Sequence, residues 1–334
     1  MKQSKPEPQN AVRKDIAKAA SESSLELTAS SLISIDYIAP PAAVSDYITT
    51  LYHFRCDEKV IRDIQPSSVG HLSLFARGKG EMYFREGHVD PNPPVAMLTP
   101  LANATPFFVD GPMHIMGAAL TPLGWAALTG LHAGECGNRL MDAGEILGDE
   151  AGAWGERLIA EYLDGSKSGR ECALEVGDFI GRIAKPINPR HVDLIRIVNM
   201  WLGSSFNPDV NELMEQAAYS ERQVQRLVER YFGLPPKDIA RKYRALRAAA
   251  LLSFPSLTPD YEAALGDAFF DQSHMIREIN RFVGRTPARL GNDDSPFLNE
   301  MIAPRNLREL DTRWGDNSEV LRPIVDIGKD DLKG

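Results

Sequence analysis

The feature that most constrains the fold is a pattern that occurs twice, a short helix followed by a tight break and a second, amphipathic helix. The two copies span residues 209–232 and 260–283. In each second helix, apolar residues recur at intervals of three and four, which places them on one helical face. These inward positions are Val224, Leu227, Val228 and Tyr231 in the first copy and Met275, Ile279 and Phe282 in the second. The repetition predicts an all-helical region.

The ends of these helices are also marked in the sequence. Gly233 follows the first amphipathic helix and Gly284 follows the second, where glycine commonly ends a helix in a left-handed conformation. Asp271 stands where a side-chain cap is expected. Pro235 and Pro236 predict the start of a long helix that connects the two copies.

A helix-turn-helix unit places its second helix in the major groove of DNA, with residues near the helix start facing the base edges. Arginine suits guanine, glutamine suits adenine, and an apolar side chain can meet a thymine methyl group. The predicted base-contacting residues are Arg222, Gln225, Arg226, Ser273, His274, Ile276 and Arg277. The predicted phosphate contacts are Arg230, Lys237, Arg241 and Arg244. The alternative is that these are ordinary solvated faces of a helical bundle.

The charge distribution favours the DNA interpretation. The 334-residue chain has a net charge of −9, yet residues 188–291 carry 14 basic and 12 acidic residues. Residues 220–250 alone hold eight basic residues against three acidic ones. An acidic protein with one basic stripe indicates local binding to a polyanion.

Two segments of the helical region resemble the DNA-binding domain of the AraC/XylS family of bacterial transcriptional regulators. They are residues 220–252 (SERQVQRLVERYFGLPPKDIARKYRALRAAALL) and residues 269–287 (FFDQSHMIREINRFVGRTP). Gly117–Gly130 (GAALTPLGWAALTG) resembles the sensor-like domain that precedes such modules. The resemblance implies regulation of transcription at promoter DNA, with RNA polymerase, a small effector and a second copy of the chain as further partners.

The chain departs from this family pattern in both turns. Ala218 and Ala268 stand where the family commonly has glycine, and Met214 replaces a small residue in the first short helix. If a turn needs a positive φ, alanine costs about 1 kcal/mol relative to glycine. Such a cost would loosen or reorient a recognition helix.

The residues before the helical region show the pattern of strands and not of helices. Short apolar runs alternate with the turn signals Gly78–Gly80, Asp90–Pro91 and Gly111–Pro112, which is typical of an antiparallel sheet or small barrel. Helical periods follow Pro122. The expected fold class is α+β. The expected domains are a tail at 1–30, a sensor or dimerisation domain at 31–187, a DNA-binding domain at 188–291 and an acidic extension at 292–334.

The sequence gives little support for an enzyme. Three cysteines form no CxxC pair, and the seven histidines form neither HxH nor HEXXH, so no metal site and no cofactor are expected. No serine lies in a GxSxG context. No apolar run reaches the length of a membrane span, and no secretory signal is present, which predicts a cytoplasmic protein. Two alternatives remain open: regulation through a protein partner without an effector, and an enzyme in the N-terminal domain.

Overall fold

The computed structural model describes residues 27–29, 32–253, 265–287 and 290. A sheet region comes first and a helical region follows, which confirms the predicted α+β class. Most of the predicted tail at 1–30, the helix start at 261–264 and the extension at 292–334 lie outside the described residues. No helix in the described part of the chain is both long and apolar enough to cross a membrane.

The sheet has eight described strands, all paired antiparallel. They are β1 (Ile33–Ile38), β2 (Ile48–Cys56), β3 (Val60–Gln65), β4 (His71–Tyr83), β5 (Val89–Pro91), β6 (Val95–Leu98), β7 (Thr105–Leu120) and β8 (Leu140–Asp142). Their order is β1-β2-β7-β4-β6-β8, with β3 paired to β7 and β5 paired to β4. The long strand β7 is central, since β3 pairs with its first part and β2 with its second.

Two glycine-containing stretches that the sequence predicts as turns lie inside strands. Gly78–Gly80 belongs to β4, and Gly111 with Pro112 belongs to β7. A Cβ atom at Gly80 would collide with the carbonyl oxygen of Phe108 on the neighbouring strand. A Cβ at Gly111 would collide with the carbonyl oxygen of Glu58. Glycine is needed here for close backbone approach and not for reversal of the chain.

Helices cover one face of this sheet. They are α1 (Pro122–Thr129), α2 (Ala133–Cys136), α3 (Ala143–Leu147), α4 (Asp149–Leu163) and α5 (Gly169–Ile183). Trp154 of α4 stacks on Phe179 of α5, with ring centroids 3.9 Å apart. Because side chains alternate along a strand, Leu72 and Leu74 of β4 pack under these helices while His71 and Ser73 face the other side.

The helical region follows the predicted order. Its helices are α6 (Pro189–Ser204), α7 (Val210–Gln216), α8 (Glu221–Phe232), α9 (Pro236–Leu252) and α10 (Gln272–Val283). Gly233 and Gly284 end α8 and α10 with φ of 82° and 80°. Asp271 caps α10 by accepting a hydrogen bond of 2.7 Å from the backbone N–H of His274. The predicted helix before it is helical over its described part, residues 265–268.

Candidate nucleic-acid interface and the adjoining cavity

Helix α8 presents one polar and one apolar face. Val224, Leu227 and Val228 are buried in the helical core, which leaves the intervening positions outside. The three predicted base-contacting side chains of α8 are all exposed, and none has a hydrogen bond or ion pair to another described residue; they are Arg222, Gln225 and Arg226. The start of α8 is fixed by a capping box between Ser220 and Gln223. Helix α8 therefore has a defined start and a polar face, carrying Arg222 and Arg226, that is open to solvent.

Helix α10 presents a similar face with one difference. Ser273, Ile276 and Arg277 are exposed. His274 instead leans toward the protein, with its Nε2 3.1 Å from Oε1 of Glu278. Its ring also packs edge-on against Phe269, with centroids 5.9 Å apart. The second face therefore has three exposed candidates, where the sequence indicated four.

Glu278 is a buried carboxylate that the sequence analysis did not single out. It accepts hydrogen bonds from Nε of Arg241 at 2.6 Å and from Nη2 of Arg244 at 2.6 Å. Burial acts to raise the pKa of Glu278, but the hydrogen bonds from the two arginines outweigh it and hold the pKa below its ordinary value. This cluster of one carboxylate and two arginines joins α10 to α9.

The predicted phosphate contacts divide into two kinds. Arg244 is 7% exposed, and it donates to Asn207 as well as to Glu278. The guanidinium of Arg244, predicted from sequence as a phosphate contact, is therefore engaged within the protein in this structure. Arg241 is half-buried and also donates to Asp238 at 3.0 Å. Lys237 is exposed, and half-buried Arg230 donates to the carbonyl of Gly130 at 3.2 Å.

Part of the basic stripe is thus internal. Lys242 and Arg247 are also buried, at 3% and 1% exposure. Arg247 donates to the carbonyls of Ser205, Phe206 and Leu202, which close the end of α6. Burial lowers the pKa of Arg247 to about 10, so the side chain remains a cation at neutral pH. The charge excess of residues 220–250 overstates what is available to a polyanion.

The two turn alanines carry no backbone strain. Among the described residues Asn138 is the non-glycine position with a positive φ, so neither Ala218 nor Ala268 adopts one. The cost that a left-handed turn would bring does not arise. Met214, the other departure, packs half-buried against the helical core.

Residues 63–68, at the end of β3 and just beyond it, form the junction between the sheet and the helical region. The backbone N–H of Ser67 donates to the carbonyl of Phe282 at the end of α10, at 2.7 Å. The carbonyl of Ser68 accepts from Nζ of Lys242 on α9, at 2.9 Å. The carboxylate of Asp63 forms a buried ion pair with Arg285. The 63–68 segment thus contacts α9, the end of α10 and the residue that follows it.

A cavity of about 150 Å³ lies on the face of the sheet opposite α4 and α5. Side chains from β1, β2, β4 and β7 line it, and so do residues of the 63–68 segment. Leu246 of α9 also lines it, so the cavity reaches the connecting helix. A group bound here would touch both the sheet and α9, the helix that connects α8 to the second helical unit.

The sequence and the fold of this chain were compared with known protein families and solved structures. Residues 213–292 match the family model described as a helix-turn-helix domain. No curated protein sequence matches the chain. Among solved structures, ToxT from Vibrio cholerae is similar at 9% identity and a TM-score of 0.40, covering 80% of this chain and 98% of that one. The structure of wild-type ToxT from the same organism with an unsaturated fatty acid bound is similar at 9% identity and a TM-score of 0.39. It covers 72% of this chain and 93% of that one. The AraC-like transcriptional activator CuxR has 13% identity, a TM-score of 0.28 and coverage of 72% and 92%.

Proposed function

We propose that this chain is a DNA-binding transcription regulator, because residues 213–292 match a helix-turn-helix domain of the AraC type. Helices α8 and α10 enter adjacent major grooves of promoter DNA and contact its bases. A small effector bound in the sheet region controls this binding. The proposed boundary between the two functional parts is at residues 187–188.

The observation that carries the DNA proposal is the exposed face of α8. Arg222 and Arg226 stand on the solvent side near the helix start, where a recognition helix meets base edges. Both guanidinium groups are free to make the paired hydrogen bonds that guanine accepts. On α10 the corresponding exposed residues are Ser273, Ile276 and Arg277.

The length of α9 supports contact with two grooves. Its 17 residues span about 26 Å at 1.5 Å per residue. Successive major-groove openings on one side of B-DNA are roughly 34 Å apart, and the width of the two recognition helices adds to the span of α9. Because the exposed faces of α8 and α10 differ, one chain should prefer an asymmetric site and not a palindrome.

Effector control rests on the position of the cavity. Gln65, Ser67 and Ser68 line it, and the backbone of this same segment is bonded to α9 and α10. A ligand that moves the 63–68 segment would change how the two recognition helices are held. Through the 63–68 segment, a small molecule in the cavity would be connected to α9 and α10.

Selection of binding sequences from random double-stranded DNA by the full chain tests the DNA proposal. The expected product is an asymmetric site with two protected base clusters about 10 bp apart in a footprint. A palindromic footprint with one chain bound would contradict the arrangement, and protection of one groove would restrict base contact to a single helix. RNA polymerase recruitment and self-association are then measured on that site.

A further inference from the structure

The cavity contains buried polar atoms that lack partners. Within the described part of the chain, Oγ1 of Thr49, Oγ of Ser68, Nε2 of Gln65 and Nε2 of His71 have no hydrogen-bond partner. All four residues line the cavity, and Thr49, Gln65 and His71 are only 3%, 8% and 9% exposed. The large majority of buried polar side-chain atoms in proteins are satisfied, so four exceptions around one cavity need an explanation. A polar atom of a bound molecule would supply the missing bonds.

The polar atoms belong to the end of the cavity near the helical region. In the register of the sheet, Ala119 of β7 lies between Thr50 of β2 and His71 of β4. Gln65 belongs to the 63–68 segment, and Leu246 of α9 lines the same cavity. Phe75, four residues further along β4, pairs with Ile115, and both line the cavity. Away from the junction the lining is mainly apolar, and its polar side chains Tyr52, Ser73, Glu81 and Asn92 already have hydrogen-bond partners. The unpartnered polar atoms thus lie at the end beside the junction.

The lining carries little charge. Among the described lining residues, Glu81 carries the one formal charge, and it accepts a hydrogen bond from the hydroxyl of Tyr83. Burial, followed by the charge of nearby Lys242, lowers the pKa of His71 to about 4, so its ring is neutral near pH 7. Lys242 itself donates to the carbonyl of Ser68 and is not part of the lining. A carboxylate in this cavity would lose its hydration without an ion partner in the wall.

The size of the cavity limits the ligand further. About 150 Å³ equals the volume of an engineered apolar cavity that binds benzene. It is smaller than the pockets that hold drug-sized molecules. The space fits one ring or a branched group of similar size.

We infer that the ligand is an uncharged, ring-sized and mainly apolar molecule with one polar substituent, which is hydrogen-bonded by Gln65 and His71. This inference rests on the proposed effector role of the cavity and names the chemical class of the effector. Nε2 of Gln65 donates to the substituent, and the ring nitrogen of His71 donates or accepts according to its tautomer. The apolar ring lies toward Phe54, Val109 and Ile115.

Titration calorimetry of the full chain with benzyl alcohol, toluene and benzoate tests the inference. The three probes share a ring and differ in the polar group. Benzyl alcohol should bind about tenfold more tightly than toluene, as expected for one or two added hydrogen bonds. Benzoate should bind more weakly than either. Benzoate binding as tightly as benzyl alcohol, equal affinity for alcohol and toluene, or no binding by any probe at millimolar concentration would overturn it.

Two variants locate the polar contact. Gln65→Met keeps the size of the side chain and removes the amide, so the preference for benzyl alcohol over toluene should fall about fivefold while toluene binding stays. His71→Leu should lower the preference for benzyl alcohol to a similar extent, and it replaces Gln65→Met in the experiment if that variant does not fold. Ile115→Val, a change in the apolar end, should alter both affinities by the same factor. A preference that survives both polar variants contradicts the inference.

Gel-shift titration of the selected DNA site, with and without benzyl alcohol, separates this inference from the proposed function. Probe binding that leaves DNA affinity unchanged contradicts the effector role and keeps the ligand class. Intact DNA binding with no probe binding contradicts the ligand class and keeps the DNA-binding role.

Discussion

The guanidinium of Arg285 and the carboxylate of Asp63 form an ion pair in which both side chains are only 2% exposed. Arg285 follows α10, and Asp63 lies on β3. Nη1 of Arg285 also donates to the carbonyl of Ile64 at 3.3 Å. The pair therefore joins the end of α10 to the sheet by a buried ion pair.

Arg285→Met should destabilise the protein by about 3–5 kcal/mol, because it leaves the carboxylate of Asp63 buried without its partner. Urea unfolding followed by circular dichroism measures the change. The double variant Asp63→Leu with Arg285→Met removes both charges and should recover most of the loss. A double variant no more stable than the single one would show that the charges are not what joins these elements.

Arg226→Ala should weaken binding to the selected DNA site by about 1–3 kcal/mol and relax the preference at one base pair. The physical reason is the loss of two hydrogen bonds to a base edge. Lys237→Ala is the matched control, since an exposed lysine at the start of α9 would contact phosphate and weaken all sequences alike. Equal losses on specific and random DNA for Arg226→Ala would rule out a base contact.

Glu278→Gln should abolish the footprint of α10 and leave that of α8. The change removes the negative charge that holds Arg241 and Arg244, and Arg244 stays buried without an ion partner. DNase protection on the selected site reads the two clusters separately. Glu150→Gln, an exposed carboxylate on α4, should leave both clusters intact. Retention of both clusters in Glu278→Gln would mean that the charge cluster does not orient α10.

The buried imidazole of His71 predicts a pH dependence. Its pKa is about 4 in the folded protein and near 6.5 when unfolded. Between pH 6.5 and pH 4 the imidazole of His71 is protonated in the unfolded chain and stays neutral in the folded chain. The free energy of unfolding therefore decreases as the pH falls through this range. The loss from this group is up to about 3 kcal/mol. Unfolding curves between pH 7 and 4 measure it, and His71→Asn should show a shallower decline. Parallel curves for the two proteins would assign the decline to other groups.

The helical region was predictable because its signals are local. Caps and glycine ends act within one turn, so Asp271, Gly233 and Gly284 mark the helices from sequence alone. The exposed faces of α8 and α10 followed from the apolar period in the same way. The sheet character of residues 31–135 was also recognisable, since short apolar runs separated by turn signals indicate strands.

Contacts between distant residues were not predictable. Arg244 is buried because it pairs with Glu278, which lies 34 residues further along the chain. The sequence around Arg244 does not reveal this partner. The one sequence signal was the spacing of Met275, Glu278, Ile279 and Phe282, which puts the carboxylate on the apolar face of α10. Gly78–Gly80 was misjudged for a similar reason, because the neighbouring strand β7 is remote in sequence. The cavity likewise depends on strands that meet only in the fold.

The 63–68 segment meets the helical region largely through peptide groups, namely the carbonyl of Ile64, the N–H of Ser67 and the carbonyl of Ser68. Peptide groups are present whatever the side chain. Changes at positions 65, 67 or 68 can therefore reshape the wall of the cavity while the same main-chain bonds continue to hold α9 and α10. Under the proposed effector control, substitutions in the cavity wall would change which molecule binds, while the main-chain bonds to α9 and α10 would stay the same.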